Sequence, residues 1–184
     1  KEKYRKLSMD LSMLTLQFDQ NALKDKNRFE LLITDENELS GLPESARDAA
    51  AMLAKSKDKN GWLFNLSAPS YIPFMRYSDK RDLREKMYRE YMSVGNKGDE
   101  FDNKDIIKKI VNIRLEIAQL MGFKNYAEYA LEHTMAKNSA NVYKLLNQLL
   151  EAYKPIAINE YNAVEGFALG TEKELSLIHI SEPT

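Results

Sequence analysis

Tyr4, Leu7, Leu11, Leu14 and Phe18 recur at steps of 3, 4, 3 and 4, with Lys, Asp and Gln among the residues between them. That spacing lays one apolar stripe along a helix. The stripe is already under way at the first residue, and the chain opens on Lys rather than Met, so the native beginning is expected upstream. Asn21 to Asn27 is polar and predicts a bend. Phe29-Glu30-Leu31-Leu32-Ile33 reads as extended chain or a tight core segment, and Thr34 with Asp35 caps an acidic turn ending near Leu39. Pro43 suits the first turn of a helix, where a missing N–H costs nothing, and the Ala-rich run Ala46 to Lys57 continues it.

Asn60-Gly61 marks a turn. The following stretch, Trp62 to Met75, holds Pro69 and Pro73, which argue against a helix interior, while its aromatic and branched residues favour extended chain. Ser78 and Asp79 cap a helix to about Met92, with Leu83, Met87 and Tyr91 at four-residue steps. Asn103 starts the strongest helix, whose apolar face is Ile106, Ile107, Ile110, Ile113, Ile117 and Leu120, and Gly122 stops it. Asn125 with Glu128 has the spacing of a capping box and opens a short helix to about His133. Asn138 or Ser139 caps a last helix bearing Val142, Leu145, Leu146, Leu149 and Leu150. Pro155 predicts a kink or break before the pattern resumes at Ile158, Tyr161, Val164 and Phe167. The fold class is all-α, with a short extended or two-stranded segment near residues 62–76.

Composition narrows the chemistry. The 184 residues carry 27 Lys+Arg against 28 Asp+Glu, a net charge of −1, which supplies no bulk field for nucleic acid or an anionic membrane. There is no cysteine, which removes disulfides and thiol catalysis. No apolar run approaches the ~18 residues of a membrane span, and the basic start lacks the apolar stretch of a signal peptide. No Gly-rich phosphate loop or Gly-x-Ser-x-Gly elbow is present; Gly95-Asn96-Lys97-Gly98 lacks the required pattern.

A catalytic zinc needs about three protein ligands, commonly two histidines one helical turn apart. The two histidines, His133 and His179, stand far apart in sequence, so no local zinc motif exists. Asp35-Glu36 and Asp99-Glu100 with Asp102 sit near helix starts and read as solvated caps. Trp62, Tyr71, Tyr77, Tyr88 and Tyr91 read as core packing rather than a base-stacking platform. Arg76, Lys80, Arg81, Arg84 and Lys86 are offset by Asp82, Glu85 and Glu90 and read as a solvated face. His133, beside Glu132, reads as a surface or cap residue. No catalytic, cofactor-binding or metal-binding residue is assigned.

The last ten residues, Leu175 to Thr184, are what translation of a transposase adaptor gives (CTG TCT CTT ATA CAC ATC TCC GAG CCC ACG). They read as foreign, leaving residues 1–174 as native sequence and His179 outside its chemistry.

Gly61-Trp62-Leu63-Phe64-Asn65-Leu66-Ser67-Ala68-Pro69-Ser70-Tyr71-Ile72-Pro73-Phe74-Met75-Arg76-Tyr77-Ser78-Asp79-Lys80-Arg81-Asp82-Leu83-Arg84 resembles the zinc metallopeptidase family that contains thimet oligopeptidase and bacterial peptidyl-dipeptidase, leaning toward the latter. Glu38-Leu39-Ser40-Gly41-Leu42-Pro43 is similar to a stretch that precedes it there. Met121-Gly122-Phe123-Lys124-Asn125-Tyr126-Ala127-Glu128-Tyr129 and Met135-Ala136-Lys137-Asn138-Ser139 follow in the family's order. The resemblance implies a two-lobed helical fold around a deep channel, with zinc held by a His-Glu-x-x-His helix and a further Glu. The metal would activate water for hydrolysis of short peptides. It also implies that this chain is the non-catalytic part preceding that helix, inactive alone, with the zinc ligands elsewhere in the parent. A cytoplasmic monomer is expected, with an exported form possible, and neither nucleic acid nor membrane as partner. The competing reading is a free-standing helical interaction module. The two differ in burial: a fragment should leave the apolar stripes of its first and last helices uncovered.

Overall fold

The computed structural model describes residues 1–171; the adaptor-like tail and His179 lie outside the described residues. The chain is predominantly helical and divides into two compact units, Lys1–Leu120 and the part from Met121 onward.

In the first unit, α1 (Glu2–Arg28) leads into β1 (Leu31–Ile33), a 3₁₀ turn (Glu36–Leu39), α2 (Glu44–Ser56), β2 (Trp62–Phe64), α3 (Ala68–Tyr77), α4 (Arg81–Met92) and α5 (Lys104–Leu120). The strands pair antiparallel, Leu31 opposite Phe64 and Ile33 opposite Trp62. This two-stranded ladder anchors the core. Leu31, Ile33, Leu39, Leu42, Ala50, Phe64, Leu66, Phe74 and Met87 form one buried cluster, with the Phe64 and Phe74 rings edge-on at 4.8 Å. Asp35 caps the 3₁₀ turn as expected, its Oδ1 accepting from the Asn37 N–H at 2.9 Å.

Away from that cluster, α1 lies antiparallel to α5. Lys3 near the start of α1 faces Glu116 near the end of α5 at 3.7 Å, and Asn21 donates to Asn103 just before α5. The α1 stripe supplies Leu7, with Leu11, Leu14 and Phe18 partly covered; α5 supplies Ile106, Ile110, Ile117 and Ala118. Ile107 and Leu120, expected on the α5 face, are exposed.

Several local expectations are corrected. Asn21–Asn27 is no bend: α1 runs through it to Arg28, because Asn21 and Asp25 find buried partners on the same face. The extended stretch ends at Phe64, and residues 68–77 are helical. Pro69 sits in the first turn of α3, where no N–H is needed, and Pro73 removes a single ladder bond from a short helix that buries Phe74 completely. The α4 N-cap is Lys80, not Ser78 or Asp79. Asp79 is drawn away to accept from the Ser40 hydroxyl at 2.6 Å, and its N–H donates to the Ser40 carbonyl at 2.9 Å. These two bonds fasten the Ser40-Gly41-Leu42 corner to the end of α3.

In the second unit, Asn125 caps α6 (Tyr126–Leu131) through the Glu128 N–H at 2.9 Å, and Phe123 packs edge-on against Tyr129. Asn138 accepts from the Asn141 N–H and opens α7 (Ser139–Thr171). Pro155 lies within α7 without breaking it. No described residue after Ala118 is buried. The expected open stripe is therefore present on the last helix, whereas the stripe of the first is covered by α5 only in part, with Leu7 buried and Tyr4 exposed.

Candidate functional site

The residues singled out in the sequence do not converge. His133 is almost fully exposed, with Glu132 at 3.7 Å. Asp35 is spent on its cap. Asp99 accepts from the Phe101 N–H at 3.0 Å and pairs with Arg28, which holds its carboxyl below the usual range. Asp102 accepts from the Lys104 side chain and N–H and from the Gly98 N–H; these bonds, the Lys104 ammonium foremost, lower its pKa to about 2. These are carboxylates consumed by loop structure rather than an acid–base pair.

Among the aromatic candidates, Tyr71 stacks on Tyr91 at 4.3 Å, and Lys26 sits 5.3 Å over the Tyr91 ring. Burial pushes the Tyr71 hydroxyl pKa up. Trp62 packs against the core from β2. The basic residues are dispersed: Arg84 donates to the Ser78 carbonyl, and Arg76 lies 5.7 Å over Tyr77.

Sequence reasoning missed one group, a buried polar layer between the end of α1 and the loop joining α4 to α5. Asp25 has no solvent exposure. It accepts from the Gly95 N–H at 2.7 Å, the Arg28 Nε at 2.7 Å and the Lys97 Nζ at 3.3 Å. Lys97 also reaches Glu90 at 2.6 Å, and Arg28 reaches Asp99. Burial opposes the Lys97 ammonium, but Glu90 and Asp25 outweigh it and its pKa is raised. One turn back, Asn21 donates to the Asn103 Oδ1 at 3.1 Å, and the Asn103 amide donates to the Phe18 carbonyl at 3.1 Å. The signal was available: Tyr4, Leu7, Leu11, Leu14, Phe18, Asn21 and Asp25 keep the 3-4 alternation unbroken. No buried side-chain polar atom of this layer lacks a hydrogen-bond partner, so the layer serves to join elements.

An open groove of about 610 Å³ runs between α1 and α5, lined by Met13, Leu14, Leu16, Ile113 and neighbours, with Asp10 and Lys109 its only charges. It has no nucleophile with an adjacent base. Among the described residues no three His, Cys, Asp or Glu side chains stand together as metal ligands. The described residues therefore do not fit a catalytic zinc ion.

The sequence comparisons supply what the geometry does not. Residues 74–178, more than half of the chain, match the model of peptidase family M3. The chain belongs to peptidase family M3. It is 38% identical over 184 residues to oligopeptidase A of Haemophilus influenzae, across 98% of this chain and 27% of that protein. It is 38% identical over 188 residues to a probable cytosolic oligopeptidase A of Arabidopsis thaliana, across 97% of this chain and 26% of that protein. Identity to the dipeptidyl carboxypeptidase of Escherichia coli is 28% over 166 residues, across 90% of this chain and 24% of that protein. Identity is thus higher to the oligopeptidases than to the carboxypeptidase toward which the motifs lean. The chain spans about a quarter of the length of the curated relatives it matches.

Proposed function

We propose that this chain is a scaffold and channel-wall segment of a zinc oligopeptidase that hydrolyses short peptides, and that it holds no zinc ligand of its own. One observation carries the reading: a match along nearly the whole chain to oligopeptidase A, a protein almost four times as long, combined with the lack of a metal-ligand cluster among the described residues. A peptidase needs a polarising ion or an activated nucleophile, and among the described residues no group of three His, Cys, Asp or Glu stands ready to hold such an ion. What the chain offers is rigid helical surface that admits flexible peptides once the rest of the enzyme is present.

The proposal extends to a cytoplasmic, monomeric parent and to residues 175–184 as translated adaptor. Two Arabidopsis relatives are named as cytosolic and as organellar oligopeptidases, and no described helix is long and apolar enough to cross a membrane. The codons of the nucleotide record test the adaptor assignment directly.

The functional test is a chimera in which residues 1–174 replace the aligned quarter of Haemophilus influenzae oligopeptidase A. The chimera should cleave a quenched fluorescent oligopeptide in a chelator-sensitive way. The isolated chain with added zinc should not. Turnover by the isolated chain, or a folded chimera without activity, overturns the reading. The free-standing module has no supporting observation, since its last helix leaves its apolar side uncovered.

A further inference from the structure

Helix α7 carries a long apolar surface that its own unit leaves exposed. Leu145, Leu146, Leu149, Leu150, Tyr153 and Ile156 are all exposed. Their three- and four-residue spacing gathers them on one broad arc, with Lys144, Glu151 and Lys154 on the opposite side. Beyond Pro155 the arc continues through Val164 and Phe167, also exposed, with Glu160 interrupting it. From Val142 to Phe167 the arc is about 37 Å long at 1.5 Å per residue. A surface of that extent, built of Leu, Ile and aromatic side chains, marks a contact face rather than ordinary exposure.

We infer that this arc docks against the part of the oligopeptidase polypeptide that lies outside these 184 residues. The inference rests on the oligopeptidase reading above. Two observations choose this occupant over a second copy of the chain. The family match across residues 74–178 takes in all of described α7, so the helix is a family element and not an addition. The relatives keep about three quarters of their length outside the aligned region, ample chain to cover the arc. Before Pro155 the opposite side, with both signs of charge, stays toward solvent.

The test uses the chimera described above, with Leu146→Glu and Leu149→Glu introduced together and Lys144→Ala as a control on the polar side. In the isolated chain the paired substitution should leave helical content and solubility unchanged, because both leucines already face water. In the chimera it should cut soluble yield or peptidase activity at least tenfold, while the control leaves both within twofold. A doubly substituted chimera with activity and melting temperature like its parent overturns the inference and leaves the oligopeptidase reading standing. A dimer of the isolated chain in sedimentation, dissociated by the same pair, with the chimera unaffected, also overturns it in favour of a second copy. An inactive unsubstituted chimera removes the oligopeptidase reading, and this inference falls with it.

Discussion

Asp25 is the position where one substitution should disturb the first unit most informatively. Replacing it with Ala removes a carboxylate with no solvent exposure that accepts from one backbone N–H and two cations. The Gly95 N–H is then left without its acceptor, a loss of about 1–3 kcal/mol. Breaking a fully buried ion pair costs roughly 3–5 kcal/mol, but here both cations are partly exposed and keep other partners, Lys97 with Glu90 and Arg28 with Asp99. The electrostatic part therefore falls well below that range, and the expected total is about 2–4 kcal/mol. That corresponds to a melting temperature lower by about 10 °C. Trp62, the single tryptophan, packs against the core of this unit and reports its unfolding in urea without interference from α7. Asp25→Asn keeps an acceptor for Gly95 and should lose less than Asp25→Ala. The Gly95 amide should exchange with deuterium faster in the Ala variant. A loss under ~0.5 kcal/mol with unchanged Gly95 exchange would refute the account of this layer as the joint between α1 and the α4–α5 loop.

Gly41 has φ +84°, and a Cβ there would run into the Tyr77 carbonyl and the Asp79 carboxyl, so Gly41→Ala should destabilise by about 1–3 kcal/mol in the same urea assay. Asp102 titrates at about 2 instead of the ordinary 3.8. A carboxyl with a lowered folded pKa contributes stability above its unfolded pKa and loses it as pH falls through the folded one. Asp102→Ala should therefore flatten the acid limb of stability between about pH 4 and 2, followed by Trp62 fluorescence.

Helices α1 and α4 were legible because burial and periodicity coincide, the α1 stripe meeting α5 and Met87 of α4 being fully buried, while α7 was legible from its periodicity alone. The short strands were legible through their branched and aromatic residues. What escaped was decided by contacts far along the chain. The 3-4 spacing carries Asn21 and Asp25 along the same face, but nothing local names Asn103 and Gly95 as their partners, so polarity looked like a helix end when it was a change of partner on one face. In residues 68–77 the prolines outweighed, on paper, a tertiary gain that burial of Phe74 supplies in the fold. For the site, spacing correctly kept Asp35 as a cap, and the acidic cluster near Asp99 proved to be loop carpentry. The catalytic apparatus expected of the family was not legible in the motif spacing, and among the described residues no three potential ligands stand together.

The antiparallel run of α1 beside α5 also fixes how the first unit connects to its surroundings. Lys3 and Glu116 face each other although they stand near opposite ends of this unit's sequence. The polypeptide thus enters and exits this block at a single corner. Neighbouring ends of this kind are what splicing into a host chain, or joining the ends and reopening at a surface loop, requires.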